Sequence, residues 1–305
     1  MMWPCRDVER QRLEAELTGA KTAFGLTGLQ NQATIETLAL QFIASQRRED
    51  YYKRVQAKPI SAARADPNNP AFDAERAVAY HMQQGNIDEA GWLIFLMTHF
   101  ARPVGAKWLR LQDVYGRLGN GRWDWATVTA SPAAFYNWLD ANWQQIRGKF
   151  GNHRKYTSLR PNVLIPMRKT VADYLVWIGP GGHAAFFAAA VHAAGNDPHV
   201  IFDHLYNGMK IGTFARLGKF DYLSLAGRYG LAPIEAGSAY LKGATGPEAG
   251  ARLLVDGSRK SATPLSSIQN TLDALDLRLK VGMAIMEDAL CNWQKSPTKF
   301  VHYLG

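Results

Sequence analysis

The chain has little cysteine, the residue that would cross-link the fold or bind a structural zinc ion. Only two of its 305 residues are cysteine, Cys5 and Cys291, and no CxxC or clustered His/Cys pattern has the spacing of zinc ligands. We therefore expect no metal site and no bound cofactor. Two isolated thiols in a chain of this length suit a reducing compartment.

The sequence also has no long apolar stretch. Its longest run, residues 91–97, is too short to span a bilayer, and the polar segment at the N-terminus has no signal-peptide core. These absences predict a soluble cytoplasmic protein without membrane contact, and nothing in the sequence predicts a protein partner.

Several familiar catalytic motifs and most strand signals are missing. There is no GxxxxGK[ST], GxSxG or HExxH motif, and no GxGxxG in a strand context. Strict apolar alternation is scarce, whereas Ile35, Leu38 and Phe42 recur at helical spacing. The pattern predicts an all-α fold, either as one helical domain over residues 1–305 or as two lobes near residues 1–145 and 146–305.

Local signals predict particular helix boundaries. Asp73 is interpreted as a helix cap, and a glycine after Phe24 is expected to end the first helix. Asp124, between two tryptophans, is either a carboxyl with a shifted pKa or, as we favour, a helix cap. An apolar stripe predicts one amphipathic helix over residues 268–290. His99, at the end of an apolar segment, is interpreted as a structural group and not as a catalyst.

Acidic residues are outnumbered, which indicates the class of partner. The chain has 35 Lys+Arg against 26 Asp+Glu and a formal net charge of +9. This excess favours a polyanion such as DNA. Nine Trp, 12 Tyr and 13 Phe supply rings on which bases can stack, although most of these rings are expected in the core.

One stretch, residues 208–254, combines several features of a phosphate-handling site. A single acid, Asp221, follows three cations and precedes a glycine-rich turn. The stretch is either a site for a phosphate-bearing substrate or a solvated cationic face on a core helix. The residues singled out in it are Arg216, Lys219, Asp221, Tyr222, Thr245 and Gly246.

Two further segments are candidates for DNA contact. The densest basic segment, residues 147–156, is punctuated by glycine and is either a phosphate-binding loop or a merely solvated one. Gln46 and Arg47 either form ordinary helix surface or begin a loop that faces DNA. The basic segment contributes Asn152, His153, Arg154 and Lys155 as candidates.

A glycine-rich turn at residues 179–182 separates two predicted helices. In a helix-hairpin-helix motif such a turn points backbone N–H groups at a DNA phosphate, which makes Gly181 and Gly182 candidates. Asp203 follows Gly182 by 21 residues.

The chain resembles the α-glutamyl/putrescinyl thymine pyrophosphorylase family, in particular its clade 3. That family is tied to hypermodified phage thymine and is similar to the helical domain of 5-hydroxymethyluracil DNA kinases. The segments that carry the resemblance are residues 41–48 (QFIASQRR), 150–155 (FGNHRK), 216–223 (RLGKFDYL) and 240–247 (YLKGATGP).

This family is in turn similar to helix-hairpin-helix DNA glycosylases, which implies that fold. Residues 42–46 look like an early glycosylase helix, and the glycine turn followed by Asp203 looks like the hairpin and catalytic aspartate. The turn reads IGPGGH, which departs from the usual glycosylase hairpin. Asp221, which precedes an RYGL segment, is an equal candidate for the aspartate. No lysine occupies a lyase position, which favours a monofunctional reaction.

Three functions follow from the resemblance and the charge. The first is a DNA glycosylase that flips out and excises a modified pyrimidine, with a role in defence against phages whose DNA carries such bases. The second is an amine transferase that displaces pyrophosphate while it builds hypermodified thymine. The third is a DNA-binding module without catalysis.

Overall fold

The structure, a computed structural model, describes residues 2–303 and contains fourteen α-helices and no strand in that range. The all-α prediction is therefore confirmed. Apolar residues at helical spacing explain this outcome, because they place the buried side chains on one face of each helix. In chain order the helices are α1 Asp7–Phe24, α2 Gln32–Gln56, α3 Ala74–Gln83, α4 Ile87–Phe100, α5 Leu109–Tyr115, α6 Trp125–Ala130, α7 Pro132–Asn142, α8 Met167–Ile178, α9 Gly182–Ala194, α10 Pro198–Gly208, α11 Arg216–Tyr229, α12 Thr245–Asp256, α13 Leu265–Leu279 and α14 Met283–Trp293.

Several helix ends follow the local signals. The carboxylate of Asp73 accepts a hydrogen bond of 3.0 Å from the backbone N–H of Arg76 and caps α3. Asp124 caps α6 in the same way, by accepting from the N–H of Thr127 (2.8 Å). Helix α1 ends where Gly25 adopts the left-handed conformation, with a φ of 66°. These three boundary predictions are confirmed.

The prediction of a single helix over residues 268–290 is wrong. Lys280 and Gly282 take positive φ angles of 52° and 85° and separate α13 from α14. One carboxylate oxygen of Asp276 accepts hydrogen bonds from the N–H groups of Val281 (3.0 Å) and Gly282 (2.9 Å), which stabilises the break. The buried apolar stripe continues across the break, so periodicity alone conceals it.

The helices form two compact units. The first combines the described residues up to 51 with those from 236 onward, and the second consists of residues 52–235. In the first unit, α12 packs very closely on α14 at Gly250. A Cβ at that position would lie only 2.2 Å from the carbonyl oxygen of Leu290, so the approach requires glycine. Trp293 is fully buried there and donates its indole N–H to the carbonyl of Thr34 over 3.2 Å.

The second unit is organised around α4. Every residue from Glu89 to Phe100 is buried, as expected for a segment that is apolar around its whole circumference. Helix α4 packs against α3, α9 and α11. The contact with α9 depends on Gly91, where a Cβ would lie 2.2 Å from Cδ2 of His183. Most site residues described below come from α4, α8, α9, α10 and α11 and from the connection between α7 and α8.

Among residues 2–303, no single helix is long and apolar enough to cross a membrane. Helices α8 and α9 reach the required length and composition only as a pair, with a bend of 56° between them.

Candidate functional site

One basic side chain is drawn into the interior of the second unit by the 3-10 turn Asn152–Arg154. Arg154 is 7% exposed; its Nε donates to the carbonyl of Thr98 (3.2 Å) and its Nη1 to that of Thr213 (2.7 Å). The guanidinium carbon lies 4.7 Å from the centroid of the Phe214 ring. The remaining nitrogen, Nη2, is buried and has no hydrogen-bond partner among residues 2–303. One donor of this buried cation is therefore without a hydrogen bond in the described part of the chain.

Arg154 rests on α11 at a glycine. A Cβ at Gly218 would lie 2.2 Å from Nη2 of Arg154, so any other residue would push the guanidinium away. Asp221 follows three residues later, about one turn along the same face of the helix. Burial lowers the pKa of Arg154, and the charge of Asp221 opposes that change. A buried cation and a carboxylate thus share one side of α11.

Asp221 is a partly exposed carboxylate in a field of positive charge. Burial raises its pKa above the ordinary value, whereas His153, Arg154, Arg216 and Arg228 each lower it. No other residue of the range 2–303 forms a hydrogen bond or a close ion pair with it. Basic side chains act on this carboxylate through space without hydrogen-bonding to it. Such a carboxylate can accept a proton or a hydrogen bond from a ligand.

Two predicted cations lie on the first turns of α11 and contact aromatic rings. The guanidinium carbon of Arg216 lies 4.5 Å from the centroid of Phe220. Lys219 donates to the backbone carbonyl of Tyr206 over 3.1 Å and lies 5.2 Å from the centroid of that ring. Burial lowers the pKa of Lys219, and the positive charge of the neighbouring Lys210 lowers it further.

The other candidates of the second unit differ in exposure. Asn152, His153 and Lys155 are exposed around the turn that carries Arg154. Asp203 is exposed on α10. The structure therefore brings the basic segment to Asp221.

The glycine turn before α9 already has a carboxylate at its N–H groups. Asp88 accepts a hydrogen bond of 2.6 Å from the backbone N–H of His183. A Cβ at Gly182 would lie 2.5 Å from the same carboxylate oxygen, and Gly182 also has a φ of 73°. Gly181 is exposed beside it. A phosphate at this turn would have to share the amides with Asp88.

A buried hydrogen-bonded chain runs from Asp88 to α11. Nδ1 of His183 lies 3.1 Å from Asp88, Nε2 lies 2.6 Å from the hydroxyl of Tyr174, and that hydroxyl lies 3.0 Å from the hydroxyl of Tyr222. Because His183 lowers the pKa of Asp88, the carboxylate accepts, Nδ1 donates, and Nε2 accepts from Tyr174. The two tyrosines and the imidazole are fully buried.

The sequence does not predict this row of hydrogen bonds; of its members, only Tyr222 is a predicted site residue, as a substrate contact. Asp88 and His183 are 95 positions apart, so their spacing gives no signal. Burial raises the pKa of Tyr222, which keeps its hydroxyl protonated. Tyr222 is thereby tied to the core, next in sequence to the partly exposed Asp221.

Glu89 is a second carboxyl, after Asp221, whose pKa is raised, and no sequence pattern indicates it. This side chain is 5% exposed; it accepts a hydrogen bond from the hydroxyl of Tyr115 and one of 2.7 Å from the backbone N–H of Trp125. Burial raises the pKa of Glu89 to about 7. Both partners belong to the aromatic core, so we assign Glu89 a structural role.

The remaining candidates belong to the first unit. Gln46 donates to Glu9 over 3.1 Å, and the guanidinium carbon of Arg47 lies 4.8 Å from the centroid of the Trp3 ring. Thr245 is exposed on the first turn of α12. Gly246 allows a close approach, since a Cβ there would lie 2.5 Å from Sγ of Cys291. Within residues 2–303, no cluster of three or more His, Cys, Asp or Glu is placed to hold a metal ion.

Comparison with known families finds one match over most of the chain. The model of a family described as alpha-glutamyl/putrescinyl thymine pyrophosphorylase clade 3 matches residues 33–305. This match confirms the resemblance inferred from the four sequence segments. No curated protein and no solved structure shows significant similarity to the chain.

Proposed function

Since the chain belongs to the alpha-glutamyl/putrescinyl thymine pyrophosphorylase clade 3 family, whose name denotes an enzyme of modified thymine, we propose that it is an enzyme that excises a modified pyrimidine from DNA. The observation that carries the proposal is Asp221, a partly exposed carboxylate without a hydrogen-bond partner in residues 2–303, set among cations. That arrangement suits a reaction in which positive charge develops on a sugar that is flanked by phosphates.

In the proposed reaction the target nucleotide leaves the base stack and enters the site beside α11. The bond between C1′ of the sugar and N1 of the base breaks, and the base departs with the bonding electrons and takes up a proton. Asp221 stabilises the positive charge on the sugar and accepts a proton from the water whose oxygen bonds to C1′. The products are a free base and an abasic site.

The surrounding cations have separate tasks in this proposal. Nη2 of Arg154, which has no protein partner in residues 2–303, would donate to the base or to a group attached to it. His153, Arg216 and Arg228, which each lower the pKa of Asp221 against the larger effect of burial, would also attract the adjoining phosphates. The formal net charge of +9 supports attraction to the DNA backbone. Phage DNA with hypermodified pyrimidines is the proposed substrate, which makes defence against phages the proposed role.

A second candidate function is favoured by the family description itself. In an amine transfer, the nitrogen of an amine bonds to the methylene carbon on the base while the bond from that carbon to pyrophosphate breaks. The cations would then hold the leaving pyrophosphate, and Asp221 would accept the proton lost by the amine. The same residues serve both reactions, so the products must distinguish them.

The experiment that tests the proposal is incubation of the protein with DNAs that carry different pyrimidine modifications. Mass spectrometry of the supernatant and of the digested DNA then identifies free bases and altered nucleosides. Free modified base together with abasic sites supports excision. An amine-dependent new nucleoside with release of pyrophosphate supports transfer. Binding without either product leaves the non-catalytic module and refutes both enzymatic functions.

Substitutions at Asp221 and Asp203 test which of the two aspartates acts in the reaction. Asp221→Asn should lower the rate about 10²-fold or more, because the carboxylate loses its charge and its capacity to accept a proton. Asp203→Asn tests the other candidate in parallel. Glu235→Gln is a matched control, because Glu235 is an exposed carboxylate of the same unit whose side chain has no part in the site. A loss with Asp203→Asn and none with Asp221→Asn would move the reaction to α10.

A further inference from the structure

The connection between α7 and α8, residues 143–166, exposes two large apolar side chains to an unusual degree. Tyr156 is 91% exposed and Leu164 is 97% exposed. Monomeric proteins normally cover such large apolar groups or use them for contact. Neither side chain has a role in the reaction proposed above.

Two contacts connect the neighbours of these side chains to the same short stretch, residues 212–213. Arg154, two residues before Tyr156, donates to the carbonyl of Thr213 over 2.7 Å. Ile165, next to Leu164, lies against Gly212, where a Cβ would be 2.9 Å from its Cγ2 atom. Because the chain spans at most about 3.6 Å per residue, Tyr156 begins within about 7 Å of Arg154 and Leu164 within about 4 Å of Ile165, so both are tethered to the stretch immediately before α11.

The charge around the pair indicates what it contacts. Residues 143–166 contain no Asp or Glu. Lys149, Lys155 and Arg160 are exposed, and Nζ of Lys155 lies 5.0 Å from the centroid of the Tyr156 ring. One acid from α8, Asp173, lies at the same stretch, where it accepts a hydrogen bond of 3.0 Å from the N–H of Gly212 and pairs with Lys169. Exposed apolar side chains in a cationic segment without acids of its own suit a polyanion with flat apolar groups, namely a nucleic acid strand, because cations meet phosphates while rings and aliphatic groups meet bases.

We propose that Tyr156 and Leu164 form a base-contacting surface that packs against DNA bases next to the Asp221 site. The inference rests on the proposed function only in taking DNA as the partner. It assigns a contact that does not depend on ionic attraction, in a segment where sequence indicated only phosphate contacts. Tyr156 stacks on a base, and Leu164 covers the neighbouring one.

The test is equilibrium binding, measured by fluorescence anisotropy, to a labelled duplex with one central 5-hydroxymethyluracil. All proteins carry Asp221→Asn to slow turnover, and the label is checked after each titration for intact substrate. Tyr156→Ala and Leu164→Ala should each weaken binding, about tenfold for Tyr156→Ala, with an unchanged dependence on salt, because base stacking releases no counterions. Tyr156→Phe should restore most of the affinity. Both positions are exposed, so the variants should fold.

Two controls make the result specific. Val176→Ala removes an exposed apolar side chain (83% exposed) from α8 and should leave binding unchanged. Lys155→Gln should weaken binding and also reduce the salt dependence by about one charge.

The inference is overturned if Tyr156→Ala and Leu164→Ala bind within about threefold of the parent protein or no more weakly than Val176→Ala. It is also overturned if their loss disappears at high salt. These outcomes are independent of the chemistry. If no base is ever released or altered, the proposed function fails and the binding result stands. If the reaction occurs and both variants bind normally, only this inference fails.

Discussion

His99 should make the folded protein sensitive to acid, and replacing it should reduce that sensitivity. The imidazole is fully buried on α4, and neither ring nitrogen has a hydrogen-bond partner among residues 2–303. Burial lowers the pKa of His99 from 6.5 to about 3, and the charge of Arg154 adds to the effect. The ring stacks on Phe95 at 6.0 Å and meets the edge of Phe150 at 5.8 Å.

The direction and the magnitude of the change in the free energy of unfolding with pH follow from proton linkage. The folded pKa lies below the unfolded one, so the unfolded chain binds the proton more readily and stability is lost as the pH falls below 6.5. One pKa unit corresponds to about 1.4 kcal/mol, so between pH 7 and pH 5 the loss is about 2 kcal/mol and is still increasing. Above pH 7 this stabilisation is fully present.

The perturbation is His99→Phe, which keeps an aromatic ring in the stack and removes the titrating group. Urea unfolding of both proteins at pH 7 and pH 5 gives the free energy of unfolding. The comparison uses the change with pH, because the larger ring can shift the absolute stability by about 1–3 kcal/mol through overpacking. His192→Gln, at an exposed position, controls for the loss of a histidine side chain as such.

The variant should lose about 2 kcal/mol less than the wild type between the two pH values. Parallel losses in the two proteins would refute the reasoning. They would mean that His99 is protonated in the folded state or is reached by solvent.

Three further predictions concern single groups. Burial raises the pKa of Glu89 to about 7, so the stability that its protonated form contributes is lost as the pH rises through 7. Glu89→Gln should therefore reduce the fall in the free energy of unfolding between pH 5 and pH 8 by about 2–3 kcal/mol. The same fall in both proteins would contradict this. Gly218→Ala should displace Arg154 and lower the reaction rate about tenfold or more with folding retained, while Gly208→Ala, in open space, should not. Tyr174→Phe should lower the free energy of unfolding by about 2–3 kcal/mol in urea titrations, because its hydroxyl joins the buried chain; a loss under about 0.5 kcal/mol would show that the chain is not formed.

Much of the fold was predictable because helix signals are local. The caps at Asp73 and Asp124 and the end of α1 at Gly25 depend on residues within one turn of each boundary. The break at residues 280–282 was missed for the same reason that α13 and α14 were recognised as helical. Their apolar stripe keeps its period across the break, while the decisive contact is a single carboxylate, Asp276.

The site was predictable only in part. Charge and glycine content identified both segments that meet at α11, although Arg154 and Asp221 are far apart in sequence. The sequence did not show that Arg154 would be buried with one free donor, since this depends on the absence of a side chain at Gly218. Nor did it show the chain from Asp88 to Tyr222, because hydrogen bonds between distant helices leave no periodic signal.

The central claim is that the carboxylate of Asp221 acts on a modified base in DNA. The most direct measurement is the single-turnover rate of base release from phage DNA with modified pyrimidines, followed by mass spectrometry for the wild type and Asp221→Asn. The account predicts free modified base from the wild type and a rate about 10²-fold or more lower for the variant. Equal rates for the two proteins, with both correctly folded, would contradict it.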